Sequence, residues 1–302
     1  MEEHRFQLEK GGVKHPCPAC HQMRLVRYVD SFTGEPVADE VGRCDRESSC
    51  GYHLRPREYF HLTGKNFFDI PKPARKPQIE PEPVQPSFID IKIMQASMSR
   101  YNGNNFCRWL VSVFGEDRAF ELTARYKIGT SKHQTGACVF WQVDKYGQVR
   151  TGKIMRYNAE TGRRVKDLRN PITWVHSVMK VQPYHLQQCL FGEHMLSMES
   201  DKPVAVVESE KTAVVASGFI PEFIWVATGG KTSKLKEKLQ AVIGRKVKLY
   251  PDLMAFDDWR KVAAGLPGVT VSDLLERHAT EADRAAGLDL ADYLLRENGR
   301  TA

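Results

Sequence analysis

The sequence predicts a multidomain protein of mixed α+β and α/β type, and three observations lead to this expectation. Four of the seven cysteines fall within one short segment near the N-terminus. Residues 71–86 contain six prolines and separate that segment from the rest of the chain. From Pro203 onward, short apolar runs typical of buried strands alternate with helical patterns. The expected parts are a metal-binding domain at 1–70, a linker at 71–86, a basic α+β region at 87–200 and an α/β domain at 201–302.

The cysteine-rich segment is predicted to be a zinc ribbon. Its cysteines are spaced Cys-x2-Cys, then 23 residues, then Cys-x5-Cys, and two strand-like runs joined by a turn lie between the pairs, RLVRYVD and EVGRC. Zn²⁺ takes four thiolate or imidazole ligands, and so short a segment needs the metal to fold. The expected ligands of one structural zinc are Cys17, Cys20, Cys44 and Cys50. Histidines that could replace one of them are His15, His21 and His53.

The central region carries the excess positive charge. The proline-rich stretch before it predicts a stiff, extended linker. Residues 87–190 hold 16 Lys or Arg against 7 Asp or Glu, whereas residues 201–302 hold 15 of each. A local excess of this kind attracts phosphate backbones, and the alternative is a solvated surface that only keeps the protein in solution. The predicted nucleic-acid-binding residues are Lys145, Arg150, Lys153, Arg156, Arg163, Arg164, Lys166 and Arg169.

The elements after the linker follow from periodicity. NNFCRWLVSVF has apolar residues at helical spacing, and GACVFWQVD with QVRTGKIMRYN forms a predicted hairpin, with TWVHSVM as a third short strand. The runs PVAVVES, FIWVAT and KVKLYPD are predicted strands with helices after them, and VTVSDLLERH supplies a fourth strand. This alternation predicts a parallel sheet with helices on both faces.

Acidic residues close two of these predicted parallel strands. Glu208 ends PVAVVES, Asp252 ends KVKLYPD, and Thr228, Gly229 and Gly230 close FIWVAT. Functional groups gather at the carboxyl ends of strands in open α/β sheets. Two carboxylates there can hold Mg²⁺, and a glycine pair lets a phosphate approach the backbone. The alternative is that the acidic residues are simple helix N-caps. The sequence thus offers a candidate magnesium or phosphate site.

These residues resemble a known domain. VAVVESEKTAVVASG, WVATGG and KLYPD are similar to the Toprim domain of bacterial primases, topoisomerases and some nucleases, which has a glutamate after its first strand and Asp-x-Asp after its third. The resemblance implies that Glu208 is the acid/base glutamate, Asp252 the first metal aspartate and Glu210 the second acidic position. The second aspartate falls on Met254, a poor ligand for Mg²⁺. Asp257 and Asp258 on the next helix are the candidates to replace it.

The order of the modules resembles primase-like proteins of bacterial mobile elements. The zinc segment is similar to the ribbon that precedes primase catalytic domains, and GACVFWQVDKYGQVRTGKIMRY resembles the primase stretch just before Toprim. The resemblance implies a DNA-binding protein of a plasmid or integrated element, acting in replication or transfer, with Mg²⁺-dependent nucleotidyl transfer. The implied partners are single-stranded or template DNA and a replicative helicase or another mobile-element replication protein.

Two alternatives keep the same architecture. One is a non-catalytic nucleic-acid-binding module on a degenerate Toprim scaffold, and the other is a Toprim-type nuclease with water as the nucleophile. The sequence contains no apolar run long enough for a membrane helix and no apolar N-terminal region typical of a secretory signal. We therefore expect a cytoplasmic protein without a membrane partner.

Overall fold

A computed structural model describes residues 5–10, 12–64, 85–166, 171–230 and 234–300. The chain divides into two compact units between Glu82 and Pro83. The predicted linker at 71–86 lies outside the described residues except for its last two positions. Among the residues that are described, no helix has the length and apolar character needed to cross a membrane.

The first unit is built on one antiparallel sheet. Its strands are β1 (Phe6–Leu8), β2 (His15–Pro16), β3 (Met23–Asp30) and β4 (Gly42–Cys44), and its helices are α1 (Glu47–Cys50) and α2 (Pro56–Thr63). Strand β3 pairs with each of the other three strands. The two strands expected from the sequence are β3 and β4. The buried cluster around the cysteines includes Leu25, Cys17 and Cys44, a very small core for a folded unit.

The second unit begins with helices that cover a four-stranded antiparallel sheet. In chain order these elements are α3 (Ile91–Ser97), α4 (Asn105–Phe114), α5 (Glu116–Arg125), β5 (Gly129–Thr130), β6 (Ala137–Val143), β7 (Val149–Arg156), β8 (Ile172–Trp174) and α6 (Val175–Val178). The strand order is β5-β6-β7-β8. Every residue of β6 is buried because both faces are covered. Phe140 packs edge-on against Phe106 of α4, whereas Trp141 on the other face donates to Ser97 of α3.

A parallel sheet follows, as the alternating pattern predicts. Its strands are β9 (Val204–Val207), β10 (Ile224–Ala227), β11 (Val247–Leu249) and β12 (Val269–Val271), in the spatial order β10-β9-β11-β12. The helices are α7 (Glu210–Phe219), α8 (Leu235–Leu239), α9 (Phe256–Ala263), α10 (Leu274–His278), α11 (Glu281–Ala286) and α12 (Leu290–Glu297). Strand β10 lies on one side of β9, whereas β11 and β12 lie on the other side. Right-handed crossovers therefore put α7 on one face of the sheet and α8 and α9 on the other.

The two sheets of the second unit share one hydrophobic core. Tyr126, which follows α5, is fully buried, stacks on Phe191 at 5.2 Å between ring centroids and donates to the carbonyl oxygens of Ala213 and Trp225. Residues from α4, β6, β7, β9, β10 and α12 belong to the same buried cluster. The regions predicted as 87–200 and 201–302 are therefore held together by a continuous core, and this core fixes β7 against the carboxyl ends of the parallel strands.

Candidate functional site

The four clustered cysteines converge on one point. One ligand atom from each lies within 4.8 Å of those of the other three, and the sulfurs of Cys17 and Cys50 are 3.8 Å apart. Burial opposes ionisation of Cys17, but backbone N–H groups of Cys20 and Ala19 hydrogen-bond to its sulfur and lower its pKa to about 7. A turn that directs N–H groups at a thiolate is the arrangement by which a Cys-x2-Cys pair binds zinc.

Two of the three neighbouring histidines, His15 and His53, have other partners. His15 Nε2 lies 2.8 Å from a carboxylate oxygen of Glu9, and His53 lies between Tyr28, at 3.0 Å, and Glu47, at 2.9 Å. Within the described ranges, the one group of potential metal ligands that converges consists of the cysteines alone. The donor set fits zinc, and a closed shell of four thiolates leaves no open position for chemistry, so the metal is structural.

The second unit contains an acidic cleft of about 860 Å³, lined by residues at the carboxyl ends of β9 and β11. These strands are neighbours at the point where the strand order reverses, which is where ligands bind in open α/β sheets. Glu208 follows β9, and Asp252 follows β11. Three further carboxylates line the cleft, Glu210 of α7 and, at the start of α12, Asp289 and Asp292.

The carboxylates of the cleft interact strongly with one another. Burial, the charges of Asp289 and Glu208, and a hydrogen bond with Glu208 raise the pKa of Asp252 to about 8. Burial also raises the pKa of Asp289, although Lys211 opposes the shift. Asp289 Oδ2 accepts a hydrogen bond from Thr212 Oγ1 at 2.8 Å, and Lys211 Nζ lies 3.3 Å from Asp292 Oδ1. Like charges held this closely favour a bound proton or a cation.

The donor atoms of this cluster fit a hard cation. Asp252 Oδ1 is buried, and no hydrogen-bond donor among the described residues reaches it. Mg²⁺ prefers carboxylate oxygens and keeps several waters, so it does not need a full shell of protein ligands. The residues that would hold it are Glu208 and Asp252, whose side chains share a hydrogen bond, and Asp289 and Asp292 line the same cleft. Metal binding would offset the burial and the repulsion that raise the pKa of Asp252.

We expect the raised pKa of Asp252 to appear in the pH dependence of stability. Between its ordinary pKa of 3.8 and about 8, the folded protein holds a proton that the unfolded chain has lost, so the free energy of unfolding falls as pH rises through this window. One such group contributes at most about 1.4 kcal/mol per pH unit. Asp252→Asn should remove this part of the slope in urea unfolding without added Mg²⁺ between pH 5.5 and 7.5. Mg²⁺ should stabilise the wild type at pH 7.5 but not the variant.

The control for that measurement is Asp257→Asn, which changes an aspartate on the exposed face of α9. Its pH slope and its response to Mg²⁺ should match those of the wild type. An unchanged slope in Asp252→Asn would contradict a raised Asp252 pKa.

Glu210 is committed to a buried ion pair. Lys153 Nζ of β7 donates to Glu210 Oε1 at 3.1 Å, to Oε2 at 3.0 Å and to the carbonyl oxygen of Gly229 at 2.8 Å. Gly229 has φ +80°, and a Cβ there would lie 3.0 Å from Glu210 Oε1. Thr228 Oγ1 donates to the carbonyl oxygens of Glu208 and Gly230. The predicted glycine pair thus borders the cleft. The carboxylate of Glu210 is paired with the ammonium group of Lys153.

The predicted basic residues separate into two groups. The first group lines the acidic cleft. Its exposed members, at the rim, are Arg163, Arg164 and Lys166, and its buried member, at the wall, is Lys153. Gly162 fixes the rim segment against Trp109, because a Cβ at this glycine would overlap the indole ring. Lys211, absent from the sequence prediction, also lines this cleft.

The other predicted basic residues do not line the cleft. Arg150 pairs with the buried Asp144 at 2.8 Å and lies 4.8 Å from the ring of Phe88. Lys145 is exposed beside Tyr146, and Arg156 is half-buried at the end of β7. Arg169 lies outside the described residues.

The structure does not bring Asp257, Asp258 or Met254 into the acidic cleft. Helix α9 buries Trp259 and Ala263, so its acidic residues face solvent and pair within the helix, with Arg260 and Lys261. The side chain of Met254 is 80% exposed. The additional carboxylates near Asp252 come instead from α12, where Asp289 and Asp292 form a capping box. That D-x-x-D pattern before an apolar run is readable in the sequence as a helix start.

Two family models match separate parts of the chain. A model of a zinc beta-ribbon finger matches residues 4–65. The N-terminal unit is a zinc ribbon. A model of a domain of unknown function, DUF6371, matches residues 104–253, from the start of α4 to just beyond Asp252. A search of curated protein sequences gave no match.

Solved structures similar to the chain include primases. The E. coli primase catalytic core is 15% identical, with 68% of this chain and 81% of that one covered and a TM-score of 0.43. The primase fragment of the bacteriophage T7 primase-helicase is 14% identical over 94% of this chain and 97% of that one, with a TM-score of 0.39. The RNA polymerase domain of Mycobacterium tuberculosis primase, in complex with double-stranded DNA, is 11% identical over 65% and 78%, with a TM-score of 0.39.

Proposed function

We propose that this chain is a primase-like DNA-binding protein that carries out Mg²⁺-dependent nucleotidyl transfer on a DNA template. The observation that carries the proposal is the acidic cleft, which Glu208, Asp252, Asp289 and Asp292 line together with the exposed Arg163, Arg164 and Lys166. Carboxylates that hold a metal, next to cations that hold phosphates, are the two requirements of phosphoryl transfer. Its volume of about 860 Å³ is within the range of small-molecule sites.

Each side chain has a role in this proposal. When bound, Mg²⁺ would neutralise charge that develops on the phosphate and lower the pKa of an attacking hydroxyl. Asp252 and Glu208 would hold the metal, and the proton that they share in its absence would leave. Arg163 and Arg164 would bind phosphate oxygens at the rim. Glu208, as the resemblance to Toprim implies, would also accept or donate a proton at the reacting oxygen.

The proposal extends to the cellular setting that the sequence resemblance implies. We infer a cytoplasmic protein of a plasmid or integrated mobile element that works in replication or transfer. The proposed nucleic-acid partner is single-stranded or template DNA. The proposed protein partner is a replicative helicase or another replication protein of the element. The zinc ribbon supports this inference because zinc ribbons precede the catalytic domain in the primases that the sequence resembles.

Primer synthesis tests the proposal. The full chain, incubated with a single-stranded DNA template, nucleoside triphosphates and Mg²⁺, should make short oligonucleotides. Asp252→Asn should lower the rate by about 10²–10³-fold, the loss typical when one stabiliser of developing charge is removed. Asp257→Asn is the matched control and should leave the rate unchanged. Cleavage of the template without synthesis would favour the nuclease, and binding without either reaction would favour the non-catalytic module.

DNA binding should weaken steeply with salt. Each phosphate contact contributes a slope of about −0.7 for single strands or −0.9 for duplex in log K against log salt. The double variant Arg163→Ala and Arg164→Ala should therefore flatten the slope by roughly one to two units. The slope is measured by fluorescence anisotropy between low and moderate salt. Arg260→Ala, at an exposed arginine on α9, is the control. An unchanged slope in the double variant would place the DNA on another face.

A further inference from the structure

A second cavity lies next to the acidic cleft and shares Gly229 and Gly230 with it. This cavity has a volume of about 330 Å³, and its other lining side chains include Trp174, His176 and Lys238. Unlike the acidic cleft, it has no carboxylate among the described residues that line it. Nothing in the proposed metal chemistry uses this cavity.

Two aromatic rings form one wall of the second cavity. Trp174 is the last residue of β8, and His176 lies in α6, with their ring centroids 6.3 Å apart. His176 Nδ1 lies 2.8 Å from Thr151 Oγ1, and the imidazole stacks on Tyr184 at 4.8 Å with nearly parallel planes. These contacts fix the imidazole ring before any ligand arrives, and a preorganised aromatic wall is suited to a flat ligand.

Two lysines among the lining residues bring positive charge to the cavity. Lys238 Nζ donates to the carbonyl oxygen of Thr228 and to Gln188 Oε1, which holds its ammonium group at the boundary with the glycine pair. Lys234, exposed at the start of α8, also lines the cavity. Aromatic rings and ammonium groups that line one cavity suit the two parts of a nucleotide, a base that stacks and a phosphate that needs cations.

The backbone between the two cavities is open. Gly230 has φ +146°, and a Cβ at this position would meet no atom within 4 Å. Among the described residues, no atom would contact a ligand at the position of that Cβ, and the carbonyl of Gly229 beside it accepts a hydrogen bond from Lys153.

We propose that the second cavity binds the base and sugar of a nucleoside triphosphate whose phosphates cross the Gly229–Gly230 segment into the acidic cleft. This inference rests on the proposed nucleotidyl transfer and names the residues that hold its substrate. Trp174 and His176 stack with the base, and Lys238 and Lys234 hold charge near the phosphates. The two cavities are then two ends of one substrate site.

Calorimetry on the full chain with Mg²⁺ tests this assignment, with ATP and inorganic tripolyphosphate as probes. Stacking of a base on an aromatic side chain contributes about 1–3 kcal/mol, so Trp174→Ala should weaken ATP binding by roughly 5- to 150-fold. Tripolyphosphate binding should not change, because it lacks a base. Trp174→Phe should bind ATP with intermediate affinity, and it keeps the test valid if the alanine variant is poorly folded. Phe120→Ala, at an exposed aromatic of α5, is the control and should bind ATP normally.

The outcomes separate this inference from the proposed function. Equal ATP affinity in Trp174→Ala and the wild type would overturn the inference. Loss of affinity for a dT10 oligonucleotide with ATP binding intact would also overturn it, because the cavity would then hold a nucleotide of a DNA strand. Asp252→Asn should weaken Mg²⁺-dependent tripolyphosphate binding. If Asp252→Asn leaves tripolyphosphate binding unchanged while Trp174→Ala still weakens ATP binding, the proposed metal site is wrong and the proposed nucleoside cavity is supported.

Discussion

Cys44→Ser is expected to release the zinc and to unfold residues 14–60. The cysteine cluster buries Leu25, Cys17 and Cys44, and Val41 and Phe60 are the other buried apolar side chains described in this unit, so apolar burial alone cannot hold the unit together. In small zinc domains the apparent free energy of metal binding is about 10–16 kcal/mol, and most of the stability of the fold comes from it. Elemental analysis should give about one zinc per wild-type chain and almost none in the variant. Loss of zinc should expose the backbone amides of β3 and β4 to hydrogen exchange.

The second unit provides the control for zinc loss. Its amides should keep their protection in Cys44→Ser, because its core is a separate cluster of buried residues. His53→Asn should retain the metal, since His53 is held by Tyr28 and Glu47 rather than by the cysteines. Full zinc retention in Cys44→Ser, with loss in a histidine variant, would show that a histidine is the fourth ligand.

The zinc ribbon could be predicted from the sequence because its determinants are local. Two cysteines in one turn direct both sulfurs to one ion whatever the rest of the chain does, so the spacing of Cys17 and Cys20 carries the information. The placement of Glu208 and Asp252 was predictable for a similar reason. Each ends an apolar run typical of a buried parallel strand, and such strands end at one edge of a sheet. Neither inference needs the packing of distant segments.

Asp289 and Asp292 could not be placed from the sequence in the same way. Their capping-box pattern predicts the start of a helix, but not that this helix begins beside Asp252. That depends on the packing of α12 against α7, where Thr212 hydrogen-bonds to Asp289. Asp257 and Asp258 show the opposite case. Trp259 and Ala263 define the buried face of α9, and this periodicity already indicates that the two aspartates point to solvent.

Counting charges also treats every lysine as if it were at the surface. Lys153 contributes to the basic excess of the central region, yet its side chain is only 8% exposed. The signal that distinguishes it is local: it lies inside β7, with buried residues on either side. A cation in such a run requires a partner, and Glu210 supplies it from the first turn of α7, far away in the sequence. Burial of charge is thus a property of the fold that composition does not reveal.

Lys153→Met is expected to destabilise the second unit by about 3–5 kcal/mol, the usual cost when one partner of a buried ion pair is removed. The Glu210 side chain is 2% exposed and would remain as an uncompensated charge in the core. The carbonyl oxygen of Gly229 would also lose its donor. Urea unfolding followed by tryptophan fluorescence measures the change, because four tryptophans are buried in this unit. The expected result is a lower midpoint with an unchanged slope.

A double variant separates the pair from simple packing. Lys153→Met combined with Glu210→Gln removes both charges, so most of the lost stability should return if the cost comes from the unpaired carboxylate. If the cost comes from the shape of the introduced methionine side chain, the double variant should be no more stable than the single one. Lys261→Met breaks an exposed pair with Asp258, whose side chains are both more than 70% exposed, and should cause no measurable change. A loss below about 1 kcal/mol in Lys153→Met would mean that water reaches Glu210 in place of the lysine, and the wall between the two cavities would then be less rigid than the hydrogen bonds to Glu210 and Gly229 indicate.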